Sequence, residues 1–203
     1  MTMNYPNGRR YSVSSSSDIK GSKKINTKFS NRGMTFEEMI NETNLYYLQR
    51  DIAVIHKKPT PIQIVKVDYP KRSAAKIKEA YFKQASTTDY NGVYQGRYLD
   101  FEAKETKNKT SFPLANLHDH QVYHMKKCVK QQGIVFVLVW FSTLKRCFLL
   151  SSSSVFDFWD KKQNGKKSIP LSFFESDGIE VSIGFAPRVD YLAALEKLTI
   201  GGA

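Results

Sequence analysis

The stretch TTDYNGVYQGRYLDFEAKE, residues 87–105, decides how this chain folds and what chemistry it carries. From Tyr98 to Lys104, Leu99, Phe101 and Ala103 alternate with Asp100, Glu102 and Lys104. A strand here buries its apolar face and presents two acids and a lysine on the other. Whether Asp89 joins them depends on register. A two-residue turn at Gln95-Gly96 pairs Tyr94 with Arg97 and brings Asp89 opposite Glu102. A turn at Asn91-Gly92 pairs Asp89 with Tyr94 and scatters the acids. Asn-Gly is the stronger turn signal taken alone, but it leaves the long Tyr98–Lys104 strand without a partner, so the first register is preferred.

Two carboxylates facing each other across a sheet repel unless a cation lies between them. Hard oxygen ligands suit Mg²⁺ better than zinc, with Mn²⁺ a plausible substitute. The cation would polarise a scissile phosphate, and Lys104 would stabilise charge in the transition state or hold the attacking water. Thr87, two residues from Asp89, lies on the same face and could add an oxygen. A Glu-x-Lys pair alone is common and would suit any exposed strand. Its weight comes from the acid in register and from the charge of the chain.

That net charge is +12 over 203 residues, and it is concentrated. Residues 1–32 carry seven basic residues against one acid, and residues 56–84 carry eight against two. Each block is therefore +6, and the rest of the chain sums to zero. Two such blocks on a neutral body point to a nucleic-acid partner rather than a membrane surface. The longest apolar run, Gly133–Phe141, falls far short of the roughly 20 residues of a membrane helix and reads as a buried strand. With no secretory signal, the protein is expected in the cytoplasm. Cys128 and Cys147 are too few for a disulfide framework and fit a reducing compartment. His118, His120 and His124 invite a zinc reading, which is set aside because structural zinc usually takes four N or S ligands.

Outward from the central stretch, residues 1–32 read as a mobile basic arm and 33–203 as one domain. Thr35 and Glu38 form a capping box opening a helix to about Gln49. Ile52–Ile55 is a short strand, and Ile62–Val67 another beyond two prolines. Asp68–Ser73 is a turn, and Ala74–Phe82 is a short helix or a returning strand. The basic, proline-punctuated segment of about 60–86 reads as a protruding hairpin inserted before the hairpin of 86–105. Asp119 caps a helix to about Gln132. Strands at 133–141 and 147–151, a short helix at 155–162, a strand at 179–183 and a closing helix at 189–198 complete an α/β fold. Its expected form is a mixed central sheet flanked by helices.

The Asp…Glu-x-Lys pattern resembles the PD-(D/E)XK nuclease superfamily. The fuller text TTDYNGVYQGRYLDFEAKETKNKTSFPL followed by HDHQ resembles the RecU family of Holliday-junction resolvases. The likeness runs from NYPNG (Asn4–Gly8) through RGMTFEE, AVIHKKPTPIQIV, YPKRSAA and EAYFKQ to APRVDYL. It implies a restriction-endonuclease-like fold, with Thr87, Asp89, Glu102 and Gln121 as the magnesium shell and Lys104 as transition-state stabiliser. It implies that residues 60–86 are a stalk entering the junction centre. The superfamily's first-helix acid falls on Glu37, while Glu38 competes for it as the capping-box acid. Arg72 beside Lys71 at the stalk tip suits phosphate contact, Lys57 and Lys76 add charge, and Tyr81-Phe82 can stack on unpaired bases. The expected protein is a Mg²⁺-dependent homodimer that makes paired symmetric nicks in four-way DNA, alongside recombinase and branch-migration proteins. Its rivals are a duplex-cutting nuclease of the same superfamily and a DNA-binding protein without activity. The intact Asp, Glu, Lys set argues against the second and the basic stalk against the first.

Overall fold

A computed structural model describes residues 34–68, 75–83 and 87–200. The basic arm of residues 1–32, with Asn4–Gly8, lies outside the described residues, as do Lys71 and Arg72. Two compact units are present: the described residues between Pro61 and Lys83, and the described residues of Met34–Thr60 and Gln84–Ala203.

In the larger unit a six-stranded sheet runs β1 (Val54–Lys57), β4 (Tyr90–Tyr94), β5 (Arg97–Thr106), β7 (Ile134–Phe141), β8 (Arg146–Ser151), β10 (Ile179–Val181). Its β5 and β7 are parallel and the other neighbours antiparallel. The parallel pair needs a crossover, and helix α2 (Asp119–Lys130) lies within it. Alternation along β7 sends Phe136 and Leu138 to one face and Val135, Val137 and Val139 to the other. The first face packs on α1 (Phe36–Gln49) and α5 (Tyr191–Ile200), where Phe101 stacks between Tyr90 and Phe136 at 4.9 and 4.7 Å. The second packs on α2, α3 (Ser152–Asp160) and α4 (Leu171–Asp177). Here β5 contributes no apolar side chain; it presents Asp100, Glu102 and Lys104 instead.

The β4–β5 ladder pairs Tyr90 with Phe101 and Tyr94 with Arg97. The turn is therefore Gln95-Gly96, with φ of 49° and 73° at its two residues, as a two-residue hairpin of this twist requires. Gly92 sits mid-strand for another reason. A Cβ there would lie 2.1 Å from Val54 O and 2.6 Å from Ile55 Cα, so only glycine lets β1 approach β4 this closely.

Several boundaries differ from the sequence reading, each for a local cause. Helix α1 ends in a Schellman turn, with Ile52 N–H donating to Tyr47 O and Asp51 N–H to Leu48 O, and Asp51 left-handed at φ 54°. Ile52 is thereby spent on closing the helix, and β1 starts at Val54. Gln132 (φ 64°) ends α2 the same way. His118, not Asp119, is the N-cap of α2, and Ser151 caps α3 three residues earlier than expected, accepting from Ser154 N–H. The two-stranded sheet β6 (Ser111–Pro113) with β9 (Ser168–Pro170), and helix α4, were not foreseen. Such short pieces carry no readable period.

In the smaller unit β2 (Ile62–Asp68) and β3 (Lys76–Phe82) pair antiparallel with each other, with an irregularity around Val65. Ala74–Phe82 thus contains a strand, not a helix. Neither strand has a buried residue.

Candidate active site

The site is built on the polar face of β5. Glu102 is wholly buried, and its carboxylate accepts from three neighbours. Asp89 N–H donates to Oε2 at 3.1 Å, Gln121 Nε2 donates to Oε1 at 2.6 Å, and Lys104 Nζ lies 2.8 Å from Oε1. The chosen register thus brings Asp89 beside Glu102, and alternation places Lys104 next along the same face. Burial, together with the Asp89 carboxylate, pushes the Glu102 pKa up to about 8, and Lys104 only partly offsets this. Burial and a second carboxylate both disfavour the charged form of Glu102, a penalty that a bound cation would relieve. The donor set is oxygen, which suits a hard divalent ion.

Gln121 is buried and bridges two elements. Its Oε1 accepts from His118 N–H at 3.0 Å at the start of α2, while its amide nitrogen holds Glu102. Thr87 directs its hydroxyl to Thr88 O. Glu38 is committed to the capping box, accepting from Thr35 N–H at 2.7 Å, so Glu37 is the helix acid left to face outward. Glu37 lines a cleft of about 200 Å³ with Asp89, Tyr90 and Glu105. Lys57 ion-pairs with Glu37 at 2.6 Å, and both side chains are exposed. Lys76, Tyr81 and Phe82 belong to the smaller unit, all three exposed.

Beside the acids lies a polar cluster that reading by sequence neighbours missed. Asp100 is wholly buried and accepts from Lys58 Nζ at 2.7 Å, Tyr98 Oη at 2.7 Å and the Thr88 hydroxyl. Burial opposes its ionisation, yet these donors hold its pKa below the ordinary range. His124 Nε2 lies 3.2 Å from Asp100 and 3.4 Å from Cys128 Sγ. His118 and His120 instead stack on each other, centroids 5.5 Å apart, so the three histidines do not converge. The readable signals were Asp100 itself, on the same alternating face as Glu102, and Tyr98 two residues before it; its other partners lie 12 to 42 residues away, outside β5.

A sequence model of the family described as Recombination protein U matches residues 31–197. A Lactiplantibacillus plantarum protein named Holliday junction resolvase RecU is 58% identical over 199 residues, covering 98% of this chain and 96% of its own length. A Bacillus subtilis protein of the same name is 57% identical over 195 residues, covering 96% and 94%. With that family model spanning most of the sequence and such relatives matching nearly end to end, this chain belongs to the RecU family.

Proposed function

We propose that this chain is an endodeoxyribonuclease that resolves four-way DNA junctions by Mg²⁺-dependent hydrolysis, with Asp89, Glu102 and Lys104 at the centre. The observation that carries the chemistry is the buried Glu102 carboxylate, held against the Asp89 segment and flanked on one face by Lys104. The substrate rests on the relatives' names and on the two basic blocks.

Asp89 and Glu102 would hold the ion, with Thr87 and Gln121 completing or supporting the shell and Glu37 reaching the site from the cleft it shares with Asp89. When bound, the ion would supply Lewis acidity to the scissile phosphate and the attacking water. Gln121 aims Glu102 by its amide and ties that aim to the N-terminus of α2. Lys104, 18% exposed at its side chain, would supply fixed positive charge beside Glu102 for charge building on phosphate oxygens. Lys76, Tyr81 and Phe82 of the β2–β3 ribbon, with Lys71 and Arg72, would contact the junction. Two copies about a two-fold axis would match the symmetry of the junction and place one site at each of two like strands. Sedimentation equilibrium distinguishes that dimer from the 23.3 kDa monomer. Among the described residues no helix is long and apolar enough to cross a membrane, and the protein would work in the cytoplasm beside recombinase and branch-migration proteins.

The test is a synthetic four-way junction and a linear duplex of the same sequence, each incubated with Mg²⁺ or chelator. Paired nicks in the junction alone, only with Mg²⁺, are expected. Equal cutting of both substrates leaves a duplex nuclease, and no cutting leaves a binding protein.

A further inference from the structure

The geometry points to Lys58 as the positioning residue that sets the Asp89 carboxylate, using Thr88 and Asp100 as its anchor. Asp89 lies just before β4, outside the ladder that orders Tyr90 onward. Lys58 holds this segment at two points. Its backbone N–H donates to Asp89 O at 2.7 Å, and its Nζ donates to Thr88 Oγ1 at 2.9 Å. The same Nζ reaches Asp100 Oδ2 at 2.7 Å, and the Thr88 hydroxyl donates to the other Asp100 oxygen. Asp100 is fixed in turn, because it stands on β5, which is hydrogen-bonded to β4 on one side and β7 on the other. Lys58, Thr88 and Asp100 thus close a ring that ties the residues flanking Asp89 to the strand bearing Glu102.

Asp100, His124 and Cys128 bring ligand-type atoms within 4.8 Å of one another, but the cluster does not read as a second metal centre. The Lys58 ammonium, 2.7 Å from Asp100 and 3.4 Å from His124 Nε2, already supplies the positive charge there. A covalently tethered cation in such a position orders its neighbours without turnover of ligands, as outer partners of a metal site do.

The inference rests on the reading of Asp89 and Glu102 as metal carboxylates. Its test is Mn²⁺ binding to the DNA-free protein, followed by the electron paramagnetic resonance of unbound Mn²⁺, with the Mg²⁺ demand of junction cutting measured in parallel. Thr88→Val removes the anchor without removing a charge, and Lys58→Arg keeps the charge while changing its reach. Both are expected to weaken Mn²⁺ binding roughly tenfold, as loss of outer partners generally does, and to raise the Mg²⁺ needed for half-maximal cutting alike. Tyr98→Phe is the control: it removes another donor to Asp100 that touches nothing in residues 87–89, and it should leave Mn²⁺ affinity unchanged. Wild-type affinity in both Thr88→Val and Lys58→Arg would overturn the inference. So would an equal loss in Tyr98→Phe, which would mean that Asp100 supports the fold at large. If wild-type protein bound no Mn²⁺, the metal reading itself would fall, and this inference with it.

Discussion

Asp89 N–H donates to Glu102 Oε2 across the β4–β5 hairpin at 3.1 Å. The two acids are therefore joined by a backbone contact of the protein itself. Under the proposed function, catalysis and DNA affinity would draw on different residues: a few buried groups for the first, dispersed surface lysines and arginines for the second.

Asp89→Asn, Glu102→Gln and Lys104→Ala are each expected to lower junction cutting by roughly a thousandfold, the scale of losing a preorganised electrostatic group. Affinity for the uncut junction in chelator should change by no more than about threefold, since it comes mainly from phosphate contacts. Gel-shift and cleavage assays on one labelled junction read both. Near wild-type cutting in the Asp89 or Glu102 variant would sink the site.

Glu102 makes metal-free stability depend on pH. Its folded pKa is raised from an ordinary 4.5 to about 8 by burial and then by Asp89. A raised acid contributes stability that is fully present below 4.5 and is lost as pH rises towards 8. In chelator, wild type should therefore lose stability relative to Glu102→Gln over that window, by an amount on the order of a few kcal/mol at pH 8. Adding Mg²⁺ should restore part of it in wild type only. Urea melts of both proteins at pH 5 and 8 measure this; a gap that ignores pH would count against it.

Adjacent acids on α1 should separate by effect. Thr35→Ala breaks the capping box and should cost about 1 kcal/mol of stability with cutting preserved. Glu37→Gln should leave the melting temperature nearly unchanged, because its ion pair with Lys57 is largely exposed. It should still slow cutting by about tenfold or more. If Glu37→Gln cuts normally, Glu37 belongs to the surface.

Gly92→Ala is expected to be severe, costing roughly 3 kcal/mol or more, because the added carbon meets backbone rather than a side chain that could move. Thermal melts suffice as the readout, and a loss below about 1 kcal/mol would contradict the close approach of β1 and β4.

Removing the ribbon between Val67 and Lys78 should spare the fold, since neither hydrophobic core of the larger unit contains a residue from 61–83. Preference for a four-way junction over linear duplex should disappear while Mg²⁺-dependent nicking remains. A truncated protein that discriminates as well as its parent would assign junction choice elsewhere.

The central sheet and the Asp89–Glu102–Lys104 face were legible because alternation over Tyr98–Lys104 is a local signal that packing reinforces on both sides. The competing Asn91-Gly92 turn was a fair reading of a dipeptide whose glycine serves a contact with Val54 and Ile55 instead. The Lys58–Thr88–Asp100 ring was not legible: its members join across 30 and 42 residues, and nothing in a linear pattern records that. The end of α1 at Gln49 was legible, whereas α2 stops at Lys130 rather than about Gln132, because Gln132 takes left-handed backbone without being glycine.

β1 and β4 are antiparallel neighbours, Lys57 facing Tyr90, and the chain between them leaves at Lys58 and returns at Asp89, residues already bonded to each other. In topological terms everything from 59 to 88 is the loop of a single hairpin. Lengthening such a loop costs little, only about 0.6 kcal/mol for each doubling. The larger unit can thus accept a different insert at this port while Asp89 keeps its hydrogen bonds to Lys58 and Glu102.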